Sequence, residues 1–151
     1  MRTILLAVGR LRQGPERALL EAYAGRIRQF EVIEVEERRK LPSADRRQRE
    51  GERLLAALPS GSRVVALDEG GVNIGSEAFA EHLRGWRDGG AGAVAFLIGG
   101  ADGHDAAVLD RADLRLAFGR MTWPHMMVRG MLAEQVYRAQ QILAGHPYHR
   151  V

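Results

Sequence analysis

Apolar runs alternate with stretches of helical period along this chain. Residues 2–8, RTILLAV, make an apolar run of the length of a buried strand. From Pro15 to about Gln29, Ala18, Leu19, Ala22 and Ile27 supply apolar positions behind a proline suited to a first helical turn. EVIEV (31–35) alternates with the period of a strand. Ser43 is placed to cap a helix reaching about Leu58. RVVALD (63–68) is a strand rich in β-branched residues that runs into the loop EGGVNIG, after which Ser76 caps a helix to about Arg87. GAVAFLIGG (92–100) is the clearest buried strand, followed by ADGHD and a short helix; LRLAF (114–118) is the last strand. The closing helix starts with Pro124 at its first position and runs to about Ala144. Gly145 then suits a left-handed turn, and Pro147 forbids continuation. This alternation predicts an α/β fold over residues 1–151: one domain with a mainly parallel sheet and helices on both faces.

Composition narrows the classes. The 151 residues are 46% hydrophobic, enough for a packed core. No apolar run approaches the roughly 20 residues needed to span a bilayer. The opening MRTILLAVGRLRQG reads as a strand, not a signal peptide. A soluble cytoplasmic protein without membrane contact is expected. The absence of cysteine excludes disulfides, thiolate nucleophiles and cysteine-based metal sites. The formal charge is only +3, yet Lys40 is the sole lysine, so the basic side is almost all arginine, a residue suited to phosphate and bases. The arginine-rich stretch from Arg38 to Arg53 reads either as a solvated loop and helix face or as a phosphate-contacting arm that includes Arg46, Arg47 and Arg49.

Candidate chemistry sits at strand ends, where open α/β sheets bind ligands. LDEGG (67–71), IGGADG (98–103) and FGRMTWP (118–124) all carry glycine, which lets the backbone approach a ligand closely. IGGADG has neither dinucleotide-fingerprint nor Walker spacing. His146 and His149 are three apart and His125 lies a helix away, without carboxylates at ligand spacing, so no metal is expected. On the closing helix His125 and Arg129 share one face, as do Glu134 and Arg138; Val128, Met131, Leu132, Gln135, Ala139 and Ile142 form the stripe suited to packing. Beyond the helix stop, His146, Tyr148, His149 and Arg150 make a dense polar tail, a candidate site wall at a terminus that would otherwise fray.

Three motifs in order, LDEGGVNIGSEAFAEHL (67–83), FLIGGADG (96–103) and MTWPHMMVRGMLAEQVYRAQQILAGHPYHR (121–150), resemble the bacterial 23S rRNA pseudouridine-N3 methyltransferase family (RlmH) of the SPOUT class, over nearly the whole chain. The resemblance implies a C-terminal deep trefoil knot that binds S-adenosyl-L-methionine, and a homodimer in which the partner completes each site. It implies a pseudouridine in a stem-loop of 23S rRNA as substrate, presented on the assembled ribosome. Carried onto this sequence, the cofactor pocket would use Leu67, Gly100, Gly103, Phe118, Gly119, Arg120, Met121, Thr122 and Trp123. Ala117 and Gly119 stand where the family often has serine, and Ala101 where it often has proline. Among the polar groups, His149 would act as base or proton relay. Arg150 and Arg129 would steady the N3 anion or grip phosphate, and Tyr148 would stack on the flipped base.

Overall fold

The computed structural model describes residues 1–150. Its elements are β1 (Arg2–Val8), α1 (Pro15–Ala24), β2 (Phe30–Val35), α2 (Ser43–Ala56), β3 (Arg63–Val72), α3 (Ser76–Asp88), β4 (Ala93–Ile98), α4 (Ala106–Arg111), β5 (Leu114–Leu116) and α5 (His125–Leu143). The five strands form one parallel sheet in the order β2-β1-β4-β3-β5. Strand alternation splits the core in two. Leu5 and Ala7 of β1, Val65 of β3 and Val94, Phe96 and Ile98 of β4 pack against α1, α3 and α5. Ile4, Leu6, Val64, Ala66, Ala95 and Leu97 point the other way, against Leu54 of α2 and Val108 of α4. Each such side chain taken out of water contributes roughly 1.5–3 kcal/mol before entropy is counted.

Several expected boundaries move for local reasons. The first helix stops at Ala24, five residues early, because Gly25 ends it and Gln29 takes a φ of 53°; Ile27 is buried from the connection instead. Ser43 and Ser76 lie inside their helices, with Pro42 and Gly75 at the caps. The Ser76 hydroxyl is drawn away from its own helix to bond Gln135 Oε1 of α5 at 2.7 Å. Pro124 likewise occupies the cap, one residue before the helix. Gly145 does adopt the left-handed φ of 69°.

β3 runs four residues beyond Asp68, through the segment expected as a loop. Its pairing with β5 shifts between Leu67 and Val72, both of which register with Leu116. Gly71 permits that bulge: a Cβ there would stand 2.7 Å from backbone atoms of Arg115 and Leu116.

α5 packs against α1 and α3 on both flanks. Gly130 allows the close approach to α1, since a Cβ would lie 2.6 Å from Leu19 Cδ2. The buried set on α5 is therefore wider than one stripe: Arg129, Gly130, Leu132, Ala133, Val136 and Ala139.

Candidate active site

The carboxyl ends of β3, β4 and β5 meet around a cavity of about 740 Å³. Its walls come from Leu67 to Glu69, Ile98 to His104, Leu116 to Gly119 and Met121 to His125, with Arg47 of α2 at the edge. Every residue expected to hold the cofactor faces it except Arg120, which lines a second cavity on the other side of the 116–119 wall. Two hydrogen bonds fix the third loop. Gly119 N–H, at φ 93°, donates to Asn73 Oδ1 at 2.8 Å, and Trp123 Nε1–H donates to the Phe118 carbonyl at 2.8 Å. In the second loop Gly103 N–H donates to the Gly100 carbonyl at 3.0 Å, helped by a φ of 77° at Gly103. Backbone therefore makes much of the surface. The charged side chains on the walls are three acids, Asp68, Glu69 and Asp102, against the single cation Arg47.

Two histidines brace this cavity, each with a lowered pKa. His104 is buried, and its Nε2 lies 3.1 Å from the Leu97 carbonyl. Burial lowers its pKa, outweighing the Leu97 bond and the nearby Asp68 and Asp105. His125 opens α5 with its Nδ1 buried and unpartnered. Burial, then the charge of Arg129, lowers its pKa against the opposing pull of the Gly99 backbone. Neither His104 nor Asn73 was singled out in the sequence. Each is a lone polar residue after a glycine-bearing turn, a weak signal in one sequence.

Arg129 sits apart from the polar tail. It is completely buried, with Nη1 2.8 Å from Glu34 Oε2 and Nη2 donating to the Val8 and Gly9 carbonyls at 2.7 and 2.9 Å. It ties α5 to the end of β1, and its Nε is buried without a partner. The helical wheel put it opposite the packing stripe; burial of α5 on both flanks brings it inside.

The polar tail folds back on its own helix. Tyr148 O–H donates to Glu134 Oε1 at 3.0 Å, and its ring stands edge-on to Tyr137, centroids 4.8 Å apart. Burial, with Tyr23 and Glu134 alongside, raises the Tyr148 pKa. Arg138 grips Glu134 at 3.0 and 2.6 Å and donates to His149 Nδ1 at 3.2 Å. That places the ring proton on Nε2, 3.7 Å from Glu77. Glu134–Arg138 is thus the centre of a half-buried network, not a solvated surface pair. Arg150 is exposed. None of the tail residues lines the 740 Å³ cavity of the same chain.

The arginine stretch is mostly paired. Arg39 and Arg53 both bond Glu37, whose carboxyl is held down to about 2, chiefly by Arg39. Arg38 meets Glu36, Arg49 meets Glu52, and Arg46 donates to the Leu41 carbonyl. Arg47 alone of this stretch reaches the cavity wall.

The family described as predicted SPOUT methyltransferase matches residues 1–149. The chain belongs to the SPOUT methyltransferase family. Proteins named ribosomal RNA large subunit methyltransferase H resemble it end to end: that of Rhodospirillum rubrum is 59% identical and that of Paramagnetospirillum magneticum 58%, each over 151 residues and 99% of both chains. A solved SpoU methyltransferase, AviRb from Streptomyces viridochromogenes in complex with the cofactor AdoMet, aligns at TM-score 0.48 and 12% identity, covering 93% of this chain and 57% of its own. Among SPOUT methyltransferases this chain is thus of the length and pattern of its methyltransferase H relatives.

Proposed function

We propose that this chain methylates N3 of a pseudouridine in a stem-loop of 23S rRNA on the assembled ribosome, in the cytoplasm, using S-adenosyl-L-methionine. The observation that carries the reading is the cavity at the ends of β3, β4 and β5, walled by glycine-bearing backbone and acidic side chains. It fits the cofactor. The volume is that of a small-molecule site, and Asp68, Glu69 and Asp102 complement a cationic ligand. Leu67, Gly100, Gly103, Phe118, Gly119, Met121, Thr122 and Trp123 would hold it, with Arg120 beyond the wall. When bound, the cofactor supplies a methyl group on a sulfonium that is already an activated leaving group.

The protein's own work is to orient the base and to remove or accommodate the N3 proton. His149 takes that proton at Nδ1 once the Arg138 contact is released, Arg150 steadies the resulting anion, and Tyr148, freed from Glu134, stacks on the extruded base. These residues lie away from the cavity of their own chain, which supports a homodimer in which the partner's tail completes each site. The second cavity supports the same reading. It is about 770 Å³, lined by Leu19, Ile74, Phe79 and Met131, and Leu19 stays exposed. The reading includes the trefoil knot, in one domain spanning the chain.

The deciding experiment is methylation of ribosomes from a strain lacking this gene, with labelled cofactor and mapping of the product. Label at one pseudouridine of 23S rRNA is expected. Label on another nucleotide would make this a SPOUT enzyme of different target, and no label with no cofactor binding would make it a non-enzymatic ribosome factor. Pairing a His149→Ala subunit with a Gly100→Val subunit should restore methylation in the mixed dimer. Failure to do so would remove the shared site. Binding to ribosomes should weaken steeply with salt, and a flat response would remove the phosphate contacts of the exposed arginines.

A further inference from the structure

The loop from Gly99 to Asp105 rests on α2 at two neighbouring points. At one, the Glu50 carboxyl lies beneath Gly100: a Cβ on Gly100 would stand 3.0 Å from Glu50 Oε2 and 3.3 Å from Oε1. At the other, Gly51 leaves room for Asp105, whose carboxylate a Cβ there would overlap. Asp105 in turn caps α4, accepting from Val108 N–H at 3.2 Å. The loop therefore cannot move toward α2 without displacing that helix. Glu50 is only 7% exposed and its Oε2 has no hydrogen-bond partner. A buried unsatisfied polar atom costs about 1–3 kcal/mol, so an apolar residue would serve packing better.

We propose that Glu50 is a positioning residue of the cofactor site, its carboxyl propping the Gly99–Gly100 backbone in the shape the cofactor meets. The proposal rests on the reading that this cavity binds S-adenosylmethionine. The groups facing the carboxyl are Asp102 from the loop, Glu37 from the β2–α2 connection and Arg46 from the preceding turn of α2. Burial raises the Glu50 pKa, Asp102 and Glu37 add to this, and Arg46 opposes it. The uncharged carboxyl is the form that fits. Ionised, it would repel Asp102 and push the loop outward. Cofactor affinity is then full at low pH with respect to this group and is lost as pH rises through its raised value. His104 and His125 act on the opposite, acid side.

The test is calorimetric titration of the full-length protein, wild type, E50Q and E50A, with S-adenosylmethionine and S-adenosylhomocysteine over a series from acid to alkaline pH. Hydrogen exchange of the ligand-free proteins is followed at residues 99–103. The cofactor's amine titrates alike in all three, so the difference between wild type and E50Q isolates the carboxyl. Wild-type affinity should fall toward alkaline pH more steeply than that of E50Q, which keeps the shape without the ionisable proton. E50A should bind roughly tenfold more weakly, equivalent to about 1.4 kcal/mol, and should exchange faster at 99–103. E50Q tracking the wild type at every pH, or E50A binding like the wild type, overturns the proposal. If the wild type binds neither compound, the cofactor reading fails instead, and unchanged exchange in E50A still overturns the role of Glu50 in holding the loop.

Discussion

Two cavities of nearly equal volume, about 740 and 770 Å³, share the wall from Leu116 to Gly119 and are built differently. The first is made largely of loop backbone at strand ends, its turns set by glycines and by bonds from Asn73 and Trp123. The second adds to that wall the segment Asn73–Gly75 and side chains from α1, α3 and α5, among them Leu19, Phe79 and Met131. Backbone amides and carbonyls read a small polar ligand with little dependence on side-chain identity. An apolar groove between helices suits another protein surface. Substitutions should therefore separate the two: added side-chain atoms harm the first, and altered polarity harms the second.

The largest effect is expected at the second cavity. Leu19→Arg should bury an unpaired charge in the proposed dimer contact and weaken association about a thousandfold, or roughly 4 kcal/mol. Sedimentation velocity should show monomers, with rRNA methylation lost and cofactor affinity changed no more than about threefold. Dimers persisting in Leu19→Arg would assign the groove to something else.

Gly100→Val should cost about 2 kcal/mol of cofactor affinity, roughly thirtyfold, because its side chain would collide with Glu50 and Val8. Unaltered titration would mean that the first cavity is not closed by backbone. Trp123→Phe removes only the bond to the Phe118 carbonyl and should cost about 1 kcal/mol, or roughly fivefold in affinity.

The smallest effect is on stability at acid pH. His104 and His125 have lowered pKa values, chiefly by burial, so the unfolded chain takes up protons before the folded one does. Stability is fully present above the ordinary imidazole range and falls as pH drops through it toward the folded values. Urea titrations should show the midpoint shifting down in that window, and His104→Gln should shrink the shift. A midpoint indifferent to pH there would mean that the first cavity has polar walls able to charge its histidines.

The same contrast explains what the sequence made readable. Apolar runs such as RTILLAV and GAVAFLI can be little other than buried parallel strands, and glycines after them marked the three loops that meet at the first cavity. The end of β3 was misread because EGG looks like a turn, whereas Gly71 serves to let β5 approach. Arg129 was misplaced because helical spacing names faces without saying how many neighbours a helix has. Glu50 was hidden in an arginine-rich polar helix, and only the folded chain brings Gly100 over it. Asn73 and Gly119 are 46 residues apart, a pairing invisible to any local pattern.

The contact of Arg129 with Val8 and Gly9 joins residues 120 and 121 positions apart. It sets a timetable for synthesis. The first strand is made well before the guanidinium that satisfies the carbonyls at its end, 121 and 120 positions further along. Until α5 emerges, the apolar flanks of α1 and α3 stay uncovered, and the chain depends on late, long-range closure of the slow kind. A nascent chain stalled before residue 129 would be open to proteases and chaperones. A chain that includes α5 would acquire resistance in a single step, measurable by pulse proteolysis of chains with and without that helix.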